Sequence, residues 1–141
     1  MEQEKYTQRV LNTLQRAQQN AALHYHQEIG SLHVLMALAQ EPEGLLETIF
    51  QELNVDTRML QASLEAQLKK IPSVKGQDRL TMSIELGRVM AKAEQLSQQM
   101  GDSYISTEHL LLAICEDGGD EARDICKSFG ITKSKVSDSI T

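Results

Sequence analysis

The chain has 141 residues, 40% of them apolar and 24% charged, with a net charge of −6 and no tryptophan. That length buries a core without a metal or disulfide, and the absence of a lysine or arginine block leaves nothing to neutralise nucleic-acid phosphates. The longest apolar run, Leu110 to Cys115, is far short of the roughly 20 residues that cross a bilayer, and "MEQEKYTQRV" has no leader-like apolar region, so a cytoplasmic protein without membrane partners is expected.

Tyr6, Val10, Leu14, Ala17 and Ala21 recur at spacings of three and four, the apolar stripe of a first helix. Gly30 and Ser31 open a second, whose Leu32, Leu35, Met36 and Leu38 make it apolar on nearly every side and therefore central. "QEPEG" ends it. Leu46, Ile49, Phe50 and Leu53 mark a third helix, and Asp56 is the expected N-cap of a fourth carrying Leu60, Leu64 and Leu68. A connector over about 69–80 follows, beginning "KKIPSVKGQD". The next helix is expected from about Thr81 to Met100, with Leu86, Val89, Met90, Ala93 and Leu96 on its apolar face. Ser106 then stands where Gly30 stood, and Thr132 takes the capping place of Asp56. No stretch alternates as a strand would.

The two halves repeat each other. "IGSLHVLMAL" at 29–38 matches "ISTEHLLLAI" at 105–114, and an ungapped offset of 76 also pairs Ala17 with Ala93, His33 with His109, Ile49 with Ile125 and Ser63 with Ser139. The fold class is all-α, one domain over 1–141 in two pseudo-two-fold repeats of about four helices each, the first about 1–68 and the second about 81–141. Neither half is large enough to bury its central helix alone, so each is expected to bury it on the other.

Cys115 and Cys126 lie at apolar helical positions without a CxxC spacing and read as buried thiols. His33 and His109 read as packed, hydrogen-bonded side chains near the repeat junction, and His24 with His26 as a solvated helix end; no metal site is expected. The methionines sit mostly at core spacing. Met90, Leu96, Met100 and Tyr104 run towards Asp102 and suggest an apolar patch with an acidic rim. G-x-x-x-x-G-K-[ST], G-x-S-x-G and H-E-x-x-H are all missing, so this stretch is not expected to be an enzyme.

Together "KYTQR", "LKKIPSVKG", "GDSYISTEHLLLAI" and the doubled H-x-L-x-A-[LI] resemble the N-terminal domain of the Clp family of AAA+ unfoldases, across essentially the whole chain. "IPSVKG" is most similar to the disaggregase branch, ClpB. The resemblance implies a mobile domain on a homohexameric ATPase ring that captures unfolded or aggregated protein segments for the pore. It assigns substrate contacts to Thr7, Asp102 and Glu108 and an apolar groove to the helix of Leu96, to which Tyr104 is added from the patch above. Lys92 and His109 depart from the family pattern.

By implication this stretch is monomeric and holds no cofactor, while ATP and Mg belong to the remainder of the protein. Two other readings stay open: docking of an adaptor or co-chaperone, as in the protease-linked ClpC and ClpA branches, and a spacer that gates the pore. Asp102 corresponds to His26 and Glu108 to Leu32, so the acidic pair occurs in one copy only. Each acid also stands where a helix cap is expected, and capping and binding remain alternatives.

Overall fold

The structure, a computed structural model, describes residues 2–76 and 79–140. Gln77 and Asp78 of the expected connector, and Thr141 after the last expected helix, lie outside the described residues. Eight α-helices occur among those described: α1 Gln8–Leu23, α2 Ser31–Gln40, α3 Leu45–Glu52, α4 Thr57–Leu68, α5 Ile84–Gln99, α6 Thr107–Asp117, α7 Asp120–Ser128 and α8 Lys133–Ile140.

The repeat is visible in the details of helix starts and stops. The Thr7 hydroxyl accepts from the Val10 N–H at 3.2 Å, and the equivalent Ser83 hydroxyl accepts from Leu86 at 3.0 Å, each relieving an orphan donor of a helix start. Asp56 caps α4 through the N–H groups of Arg58 and Met59, and Thr132 does the same for Lys135. α1 and α5 end in one motif, in which His26 N donates to Ala21 O and Asp102 N to Ser97 O. That motif puts one residue in the left-handed region: Gly101 at φ 72° in the second copy, but Tyr25 at φ 56° in the first.

A tyrosine in that conformation is strained by about 1 kcal/mol, and the Lys75 ammonium 5.7 Å from the ring centre, an exposed contact worth about 0.5 kcal/mol, offsets part of that strain. Tyr25→Gly is therefore expected to stabilise the domain by about 0.5 kcal/mol in a urea melt.

Two short parallel pairings correct the expectation of a strandless chain. β1 (Glu28–Ile29) pairs with β2 (Thr81–Met82), Ile29 opposite Met82, while Tyr6 pairs with Ile105. These contacts are related by the repeat. Thr7 N donates to Ile105 O and Ser83 N to Ile29 O, both at 3.0 Å, so the segment entering the first helix of each copy is stitched to the segment entering the second helix of the other. Pairing explains why α5 starts at Ile84 rather than near Thr81: the backbone of Thr81 and Met82 is extended to meet β1. Tyr6 likewise lies in the stitch rather than on α1.

One apolar core spans both copies. α2 and α6 lie at its centre, packed on each other, with α1 and α4 against α2, and α5, α7 and α8 against α6. Leu35, Leu111, Leu60, Leu64 and Leu68 are fully buried. The methionines divide: Met36 and Met90 are buried, but Met59, Met82 and Met100 are exposed. Their helical spacing did not reveal that division, because it gives a periodicity and not which side of the stripe is covered.

Candidate functional site

The acidic surface lies at the α5–α6 turn. Tyr104 is 57% and Met100 39% exposed, with Asp102 between them in sequence and Glu108 half-buried in the first turn of α6. Thr7 is brought to this turn by its backbone bond to Ile105, but its hydroxyl is already engaged as the α1 cap. Leu96 does not join the surface. It is 5% exposed and packed in the core, so the expected groove along α5 is not open at that side chain. Lys92 points instead to Glu116, at 2.9 Å, and Lys133 pairs with the same carboxylate. Burial works against the charge of Glu116, but the two ammonium groups outweigh it and hold its carboxyl below the usual range.

Behind Asp102 stands a histidine clamp that occurs twice. The Ser106 N–H donates to Nδ1 of His109 at 2.9 Å, and the Gly30 N–H donates to Nδ1 of His33 at 2.9 Å. Each histidine thus reaches back from the third position of its helix to the cap, the part usually played by Glu or Gln. A nitrogen that accepts carries no proton, so both rings are neutral with the proton on Nε2. In the second copy Nε2–H donates to Asp102 Oδ2 at 2.7 Å. In the first it donates to Nδ1 of His26 at 2.8 Å. The Leu68 and Ile71 backbone also acts on the His26 ring, favouring its protonated form against burial.

Asp102 is accordingly a structural acceptor as well as a surface acid. His26 is 2% exposed and stacked on His24, whose Nε2 lies 2.8 Å from Glu65. This corrects the reading of His24 and His26 as a solvated helix end: the connector folds over them, Ser73 donating to the His24 carbonyl and Val74 to that of Tyr25. Sequence reasoning missed the His26–His33 pair, although its signal was present: both 26/33 and 102/109 are seven residues apart and related by the offset.

Beside the first-copy clamp runs a groove of about 840 Å³, with Leu32, Ile71, Pro72, Val74 and Ile84 among its lining residues. Among the described residues no cluster of three or more His, Cys, Asp or Glu side chains is arranged to hold a metal ion, and no helix is long and apolar enough to cross a membrane.

Two stitched copies of one helical unit define the class, and the sequence falls within it: residues 5–129 match the family described as Clp repeat (R) N-terminal domain, to which the chain belongs. It is 34% identical to the chaperone protein ClpB of Bacillus cereus over 144 residues, covering 99% of this chain. The ClpB of Lactiplantibacillus plantarum is 34% identical over 143 residues. In both cases the chain spans 16% of the relative's length. Its fold is similar to the crystal structure of the Hsp104 N-terminal domain from Candida albicans, with a TM-score of 0.81 at 26% identity, covering 96% of this chain and 88% of that one. The N-terminal domain of the ClpV1 ATPase from E. coli EAEC shares the fold at 20% identity, with a TM-score of 0.81 over 96% and 83% of the two chains.

Proposed function

We propose that this domain is the substrate-binding N-terminal part of a ClpB-like, ATP-dependent protein disaggregase, which weakly captures unfolded or aggregated segments and passes them to the pore of a hexameric ring in the cytoplasm. The ATP and Mg that drive the ring belong to the remainder of the protein. The observation carrying this reading is the turn at Asp102, where exposed Met100 and Tyr104 flank one acid and Glu108 follows, on a chain similar to ClpB over 99% of its own length. Apolar side chains rimmed by charge suit transient contact with many sequences. Weak contact is sufficient, because six domains tethered to one ring raise the local concentration of sites.

Titrating the isotopically labelled domain with reduced casein tests it. Fast-exchange NMR shifts are expected at Thr7, Asp102, Tyr104 and Glu108, with Leu96 responding only through its neighbours. Asp102→Asn with Glu108→Gln is expected to weaken those shifts while leaving the melting temperature nearly unchanged, since asparagine still offers His109 an acceptor. No shifts at saturating casein would overturn direct capture and favour adaptor docking or a spacer.

A further inference from the structure

At the place where the second copy carries its acidic turn, the first copy carries the groove of about 840 Å³. The offset of 76 sets Leu32 opposite Glu108, Ile84 opposite Gln8 and Glu28 opposite Tyr104. Apolar and acidic positions are thus exchanged between the two surfaces. The connector adds a wall of Ile71, Pro72 and Val74, held in place where Ser73 and Val74 donate to the carbonyls of His24 and Tyr25.

The apolar strip of this groove is open. Ile84 is 79% exposed, although Leu86 and Val89 on the same helix are buried, and Leu32 is half-buried beside it. Around the strip Glu28, Glu85 and Glu121 stand against a single cation, Lys70. Glu85 rests against Gly119 at the start of α7. Glu28 and Glu121 are exposed and enter no ion pair among the described residues. Ser31, in the same lining, has a buried hydroxyl with no hydrogen-bond partner among the described residues, a condition that buried polar groups seldom keep once their site is filled.

We propose that this groove is a second docking surface, which takes short unfolded segments carrying aliphatic side chains beside lysine or arginine. The aliphatic groups lie on the strip of Leu32, Val74 and Ile84. Long cationic side chains lay their stems along the same strip and bring their charged ends to Glu28 and Glu121. A backbone group of the segment supplies the bond that Ser31 lacks. The net charge of −6 favours such segments over acidic ones at a distance as well. The proposal rests on the reading of the domain as a binder of unfolded segments and names the class of segment that the first copy selects.

The test titrates the isotopically labelled domain with three unstructured peptides of equal length. One is made of leucine, valine and arginine; the second has glutamate in place of each arginine, and the third has serine in place of leucine and valine. The first should shift the amides of Leu32, Val74 and Ile84 and weaken as salt is raised, and the other two should bind at least roughly tenfold more weakly. Glu28→Gln with Glu121→Gln, both at exposed side chains, should remove most of the preference for arginine over glutamate. Ile84→Ser should weaken the first peptide while casein-induced shifts at the Asp102 turn persist. Equal binding of the arginine and glutamate peptides, shifts confined to the Asp102 turn, or binding untouched by Ile84→Ser would each overturn this docking surface and leave capture at the Asp102 turn standing. A domain silent to the peptides and to casein alike would overturn both.

Discussion

Acidification from pH 6.5 to about 4 is expected to destabilise the domain, and the loss should trace to His33. Burial, reinforced by the nearby His26 and His24, pushes the His33 imidazole from 6.5 down to about 4. Above 6.5 the ring is neutral whether the chain is folded or not, and the stability is fully present. Between the two values the unfolded chain takes up a proton that the folded chain refuses, so stability falls with pH and levels off below about 4. The shift corresponds to about 3 kcal/mol, or about 2 kcal/mol with solvent screening of the partly wet cluster.

Geometry supplies the cause. A protonated His33 cannot accept from the Gly30 N–H, and a protonated His26 faces the His33 N–H with another N–H. His26 is also held below its usual value, chiefly by burial and then by His24, and works in the same direction. His24 works in the other. Burial lowers it, but the Asn20 carbonyl and the Glu65 carboxylate outweigh burial and the nearby Lys69, so its pKa is raised and its contribution is lost as pH rises through that value. Urea melts across the range measure the sum. His33→Gln keeps the reach back to the cap without a titrating ring, and is expected to remove more than half of the acid-induced loss. An unchanged pH slope in that variant would mean the acid sensitivity lies elsewhere.

Leu35→Ala should cost about 3 to 4 kcal/mol, and the damage should not stay in the first copy. Leu35 is fully buried on α2, which packs on α6 of the other copy. Since typical domains hold only about 5 to 15 kcal/mol in total, this is a large fraction of the stability. Hydrogen exchange is the informative measurement: amide protection in α6 should fall together with protection in α2. Leu111→Ala, at the equivalent position, should give the mirror result. A variant in which one copy melts while the other keeps its protection would show that the copies fold as separate units.

The helices and the central position of α2 and α6 were legible because periodic leucines report the buried face and Asp56 and Thr132 announce caps. The two stitches were not. Thr81 and Met82 carry no alternation, and their extended backbone is set by a partner more than 50 residues away. The Asp102 turn was legible as a break in the repeat, but the clamp behind it was not, since hydrogen bonding between His109 and Asp102 depends on how α5 hands over to α6. Leu96 shows the opposite limit. Its spacing correctly placed it on the apolar face of α5, and that placement is why it lies in the core rather than on the acidic surface.

The crossed stitches have the form of a contact between two identical subunits: residue 6 meets 105 while 82 meets 29, the self-complementary arrangement of an isologous dimer. A dimer of identical chains must carry every substitution twice. Joined in one chain, the partners are released from that constraint, and here they have separated: one keeps a carboxylate at the clamp and presents it at the surface, while the other has sealed an imidazole beneath the connector. One chain thus holds two forms of the same clamp, one open to solvent through its carboxylate and one whose buried imidazole pair answers to acidity.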